Sequence, residues 1–195
     1  MAKFAVFFIA ALAFQAALAA PKKNQGAAAA GKSQLEEVAE QVQHVVTEVH
    51  TSLQNVLPDS KQVTQALGTQ SQEFARNVQN IVNKLQAEID KNKGQVDSTL
   101  QQISVKLTEN INALKQAVGP DATAKANEIR TQLDNHLKNS AAEIDKLVKV
   151  VQPNLQHAGE SINAFAKGVL DDFLKAAENL KNQVDTTIQS KGQKH

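Results

Sequence analysis

Histidine supplies the side chains that titrate nearest neutral pH, and two of the five in this chain sit close together, His44 and His50, with Glu48 between them. On a regular helix His44 and Glu48 share a face while His50 lies about 120° away. The spacing departs from H-E-x-x-H, in which two histidines converge on a zinc ion, so a solvated helix edge is the reading. His136 and His157 have no partner nearby in sequence and are read the same way. There is no cysteine, which excludes thiolate chemistry and a disulfide scaffold. Neither a glycine-rich phosphate loop nor a nucleophile elbow occurs. Asn139-Ser140-Ala141 fails as a glycosylation sequon at its third position. The residue types point away from an enzyme, a metal site and a cofactor.

The first nineteen residues read as a signal peptide. Lys3 gives a positive start, and Phe4 to Leu18 are apolar apart from Gln15. Ala17-Leu18-Ala19 has the small-x-small pattern of a cleavage site, which would leave Ala20-Pro21 at the new terminus. The run is too short for a comfortable membrane span of about 20 residues. Cleavage removes four of the seven phenylalanines, leaving Phe74, Phe165 and Phe173 in a chain without Trp or Tyr. The core must then be aliphatic. Loss of Lys3 balances 20 basic against 20 acidic residues, and a neutral chain with no basic face does not suit nucleic acid. About 175 residues suffice for one domain with its own core.

Residues 20–32 are rich in Ala, Gly and Lys without apolar periodicity, as in a mobile tail. A helical domain is expected over 33–190, followed by a short tail at 191–195. Ser33-Gln34-Leu35-Glu36 fits a capping box, and Leu35, Val38, Val42, Val45, Val49, Leu53 and Val56 follow at spacings of three and four. Pro58 stops this helix. Asp59 and Gln62 can cap a second helix with the stripe Val63, Leu67, Phe74, Val78, Ile81, Leu85 and Ile89. Gly68 and Gln70 interrupt that stripe and predict a kink or short break there. Lys91-Asn92-Lys93-Gly94 ends it.

A third helix carries Val96, Leu100, Ile103, Leu107, Ile111, Leu114 and Val118, with Val105 pointing away, and stops at Gly119-Pro120. Asp121 can cap a fourth, with Ile129, Leu133, Leu137, Ile144, Leu147, Val148 and Val151 inward, broken by Pro153. The fifth begins near Leu155 and runs through Ile162, Phe165, Val169, Phe173, Leu180, Val184 and Ile188. No stretch alternates with period two. The fold is read as all-α, an up-and-down bundle of five long amphipathic helices of roughly 35–50 Å at about 1.5 Å per residue. Short connections make consecutive helices antiparallel.

Such stripes can be core and nothing more. They can also leave one another for a lipid surface, because every helix carries enough Leu, Ile, Val or Phe to bind one alone. Two other classes stay open: a secreted helical ligand for a protein partner, and a small-lipid carrier, both with a bundle that does not open.

The chain resembles the insect apolipophorin III family of exchangeable apolipoproteins from about Leu35 onward. The resemblance rests on the five-helix layout behind a secretion signal and on four local stretches. These are Leu57-Pro58-Asp59, Gln72-Glu73-Phe74-Ala75, Glu88 to Leu100 around Gly94, and Asn163-Ala164-Phe165-Ala166. It implies a secreted haemolymph protein, monomeric when lipid-free and peripheral rather than transmembrane. Such a protein opens onto lipoprotein particles and phospholipid surfaces as diacylglycerol is loaded. It further implies binding of microbial lipopolysaccharide or β-glucan. In an up-and-down bundle the first and third joints share an end, where Val56, Leu57 and Val118 lie too close to Pro58 and Gly119-Pro120 to be fully packed. They are candidates for first insertion into lipid, the alternative being that they close the bundle cap. Lys91 and Lys93 at the other end could meet anionic head groups. Phe74, Phe165, Val169, Phe173 and Leu180 on the stripes complete the candidate lipid-contacting set.

Overall fold

The computed structural model describes residues 34–56, 61–91, 97–118, 126–151 and 160–192. They form five helices: α1 (Gln34–Asn55), α2 (Lys61–Lys91), α3 (Asp97–Ala117), α4 (Ala126–Val151) and α5 (Glu160–Gly192). There is no strand among them. The segments expected to be a signal peptide and a tail lie outside the described residues, as do Ser33, Leu57, Pro58, Asp59, Lys93, Gly94, Val96, Gly119, Pro120, Asp121, Pro153, Leu155 and His157. No helix is long and apolar enough to cross a membrane among the residues described.

Each stripe becomes core because residues three and four apart stack on one helix face. Leu100, Ile103, Leu107, Ile111, Leu114 and Val118 of α3 are all buried, and so are Ile129, Leu133, Leu137, Ile144, Leu147, Val148 and Val151 of α4. The interior is one continuous aliphatic cluster to which all five helices contribute. Among the described residues, its aromatic contact joins Phe74 to Phe173, edge to face at 73° with ring centroids 6.2 Å apart. Val105 points to solvent, as its place off the stripe requires.

Around the bundle the helices follow the order α1, α5, α2, α3, α4, with α4 also reaching across the interior to α2 and α5. Cross-links between helices give their sense. His50 meets Asp134 and the Val56 carbonyl meets Arg130, so α1 and α4 are antiparallel. Gln70 meets Thr187 and Lys84 meets Asp172, so α2 and α5 are antiparallel. Ser52 meets Asp185 and Glu48 lies near Lys181, so α1 and α5 are parallel. The direction alternates along the chain, yet α1 and α2 do not pack along each other, because α5 lies between them.

Of the kink or short break expected at Gly68 and Gln70, the break does not occur; α2 runs unbroken for 31 residues. Gly68 faces open space and meets no close neighbour. Gln70 is buried instead of ending the stripe, because its amide finds partners on α5. Helix α5 runs to Gly192, past the expected boundary at residue 190. The shortest helices, α1 and α3, have 22 and 21 residues. At about 1.5 Å per residue both fall slightly under the expected length.

Candidate functional site

The feature that could act on a ligand is the apolar interior, and its geometry is decided by what closes it. At one end, Val56 and Val118 were expected to be incompletely packed. They are not: Val56 is 2% exposed and Val118 8%. The Val56 amide donates to the Leu53 carbonyl at 3.2 Å and the Val118 amide to the Leu114 carbonyl at 3.1 Å, which continues the chain inward by one residue past the end of each helix. Arg130 Nη1 then donates to the Val56 carbonyl at 3.3 Å, so α4 covers the end of α1. At these two positions the residues close the bundle cap. Phe74, Val169, Phe173 and Leu180 are buried in the core and Phe165 is half-buried. The structure thus collects Phe74, Val169, Phe173 and Leu180 in one interior, with Phe165 packed partly against it.

Three polar links, none of them visible in the sequence pattern, hold that interior shut. Between α1 and α4, the His50 ring is 2.8 Å from Asp134 Oδ1 through Nδ1 and 2.8 Å from Gln54 Nε2 through Nε2. Lys138 Nζ also lies 2.9 Å from Nδ1, so the ring is held by groups of both helices. Lys138 Nζ donates to the other carboxylate oxygen at 2.9 Å. His50 is therefore part of an interhelix cluster, not the solvated edge expected, because α4 presents Asp134 to it across 84 residues of chain. Between α1 and α5, Ser52 Oγ donates to Asp185 Oδ1 at 2.6 Å. Lys181, hydrogen-bonded to Asp185 and facing Glu48, is held above the ordinary lysine range by that bond first and by the two charges after it.

Between α2 and α5, Gln70 Nε2 donates to the Gln183 carbonyl at 3.0 Å and to Thr187 Oγ1 at 2.8 Å. Gln183 in turn donates to Glu73, and Lys84 pairs with Asp172. Gln70 Oε1 has no protein partner. A glutamine on the apolar stripe was the available signal, but its partners lie more than a hundred residues away.

His136 also departs from the solvated reading. It is 7% exposed, and neither ring nitrogen has a protein hydrogen-bond partner. Burial pushes its pKa below the ordinary value, because the charged ring would be poorly solvated there. Its neighbours Leu133, Leu137 and Ser140 are buried with it, so it sits on the flank of the α4 stripe. Among the described residues, no group of three or more His, Cys, Asp or Glu side chains is placed to hold a metal ion.

The family model described as apolipophorin-III precursor matches residues 32–187, the whole of α1 to α4 and most of α5. The chain belongs to the apolipophorin III family. The resemblance seen in the sequence therefore holds, and the family is one of lipid-binding apolipoproteins. A solved structure of an apolipoprotein determined at 2.5 Å, that of locust apolipophorin III, superposes with a TM-score of 0.61. The match covers 80% of this chain and 99% of that one at 18% identity, a likeness that establishes the five-helix bundle fold. No curated protein sequence matches. In this apolipophorin III chain the candidate site is the apolar interior to which all five helices contribute.

Proposed function

We propose that this chain is an exchangeable apolipoprotein whose helix bundle opens to cover lipoprotein and phospholipid surfaces. One observation carries the reading. Among the described residues, Val105 is the one large hydrophobic side chain that the closed bundle exposes. A member of a lipid-binding family with its apolar residues inside must separate its helices before those residues can touch lipid. Helix separation into water would expose on the order of several thousand Å² of apolar surface, at about 25 cal/mol per Å², far beyond a stability of roughly 5–15 kcal/mol. On lipid the same stripes stay buried, so the surface itself supplies the differential affinity that drives opening. The helices keep their internal hydrogen bonds throughout, and the joints act as hinges.

Family membership supports the finer parts of the reading: secretion into haemolymph after removal of residues 1–19, a monomer when lipid-free, and stabilisation of particles loading diacylglycerol. Binding of lipopolysaccharide or β-glucan rests on family membership alone. The test is vesicle clearing: the mature chain is mixed with phosphatidylcholine vesicles at their phase transition while turbidity and helicity are followed. Rapid clearing with helicity retained is expected. Persistent turbidity from a folded chain would refute opening and leave a bundle that meets a protein or carries single lipids.

A further inference from the structure

The polar links between helices are unevenly distributed. They join α4 to α1, α1 to α5, and α5 to α2, making an open chain of four helices. The ring is completed by α3, which lies between α2 and α4. The hydrogen bonds of the described α3 side chains stay within α3: Lys106 Nζ to Glu109 at 2.8 Å, and Thr108 Oγ1 to the Ser104 carbonyl at 2.8 Å. Its polar tie to another helix is the through-space attraction between Lys106 and Glu143 of α4. Both seams of α3 are thus closed by apolar contact. Contacts of that kind transfer to lipid with little loss, whereas a hydrogen bond broken between helices loses about 1 kcal/mol unless lipid or water replaces it.

The α3–α4 seam also carries the exposed apolar residue. Val105 is 50% exposed. It lines an open groove of about 430 Å³ with Ile103, Gln102, Lys106, Glu143 and Lys146. The groove is lined by the charged side chains Lys106, Glu143 and Lys146, with Lys146 paired to Glu143 at 2.7 Å and Lys106 paired to Glu109, beyond the lining, at 2.8 Å. Charges of both signs around an apolar floor complement a head group that itself carries a phosphate and a quaternary ammonium. They would not favour a purely anionic surface.

Resting on the bundle-opening reading, we infer that the groove on the α3–α4 seam, centred on Val105, is where the closed bundle docks on a zwitterionic phospholipid surface, and that α3 is the first helix to pass into the lipid. Contact is made along the side of the bundle and not at the end capped by Val56 and Val118. Val105 enters the surface, the charged side chains meet the head groups, and the seams that no hydrogen bond of the described α3 side chains crosses exchange their partner helix for acyl chains.

The test uses the mature chain and vesicles of dimyristoylphosphatidylcholine. Val105→Gln, at a solvent-facing position, should leave thermal unfolding unchanged and slow clearing about fivefold, the worth of one partly buried valine. Val105→Ile should clear at least as fast as the parent. In the lipid-free protein, amide hydrogen exchange should be faster throughout α3 than in α4 or α5. Clearing by Val105→Gln at the parental rate would overturn the docking site while leaving bundle opening intact. Protection of α3 equal to that of α4 would overturn its early release. Clearing only after an anionic phospholipid is added would overturn the head-group assignment. Failure of the parental chain to clear the vesicles would overturn this inference together with the opening reading.

Discussion

Replacing Gln70 by leucine asks whether the polar links between helices, and not the apolar core, set the ease of opening. Gln70 is 5% exposed and gives two hydrogen bonds to α5, each worth about 1 kcal/mol net. Against that, its Oε1 is buried without a protein partner, at a penalty of about 1–3 kcal/mol. Leucine removes the penalty and adds apolar burial. It orphans nothing, because Thr187 Oγ1 already donates to the Gln183 carbonyl at 3.0 Å. The balance favours the variant by about 1 kcal/mol. Gln70→Ala, which loses the bonds and leaves a hole, should be less stable by about 2 kcal/mol. Urea unfolding followed by circular dichroism measures both. If the α2–α5 seam must part on lipid, the leucine variant should clear phosphatidylcholine vesicles about fivefold more slowly and the alanine variant faster, a 1 kcal/mol change in barrier being about fivefold in rate. A leucine variant less stable than the parent would refute the bookkeeping. A more stable one that clears at the parental rate would refute the link between seam strength and opening.

Phe173→Ala removes a fully buried ring and its contact with Phe74, and should lower unfolding stability by about 3–5 kcal/mol in urea melts while leaving helical content in lipid-bound protein unchanged. Gly68→Ala should raise stability by about 0.5–1 kcal/mol, since the added methyl meets open space in mid-helix; a loss would show that α2 needs the glycine's freedom. His136 predicts a pH dependence. Its folded pKa lies below the model-peptide value of 6.5, so the unfolded chain binds the proton more readily. The closed bundle has its full stability from this group above pH 6.5 and loses it as the pH falls through the lowered folded value. His136→Leu should flatten that part of the stability curve, measured by urea melts from neutral to mildly acid pH, and an unchanged slope would place the acid sensitivity elsewhere.

The helices were legible because their signal is local. A buried face repeats every three to four residues, so Leu100 to Val118 and Ile129 to Val151 could be assigned to the interior from spacing alone. What the spacing could not show is which helix a polar residue would meet. Gln70 reads as an interruption of α2 until Thr187 and Gln183 arrive from the far end of the chain. His50 and Asp134 are each ordinary exposed-looking residues until α1 and α4 are side by side. His136 is buried by packing that its own helix does not specify. The ring order is hidden for the same reason, as nothing local says that α5 separates α1 from α2. At Val56 the sequence left lipid insertion and cap closure both open, because the Arg130 side chain that meets its carbonyl lies 74 residues later. Spacing placed Phe74, Val169, Phe173 and Leu180 on the stripes that the structure buries, but a lipid-facing surface made of them belongs to the proposed open state and has no local signal.

For the proposed opening to be reversible the two states must be close in free energy, and the uneven placement of polar groups is one way to arrange that. Hydrocarbon burial is nearly common to both states, whether against other helices or against acyl chains, so it largely cancels in the difference. The helices' own hydrogen bonds cancel as well. What remains is a short set of side-chain links: the His50–Asp134–Lys138 cluster, Ser52–Asp185, Gln70 with its α5 partners, and Lys84–Asp172. The buried hydrogen bonds are each worth about 1 kcal/mol and the partly exposed ion pairs less. That total is small beside the core but comparable with the stability of an ordinary domain. Gln70 Oε1 and His136, buried without partners, subtract from it. The core therefore decides that the helices stay covered, and the links decide what covers them. A stronger core would not hinder opening on lipid, whereas two or three more interhelix hydrogen bonds would.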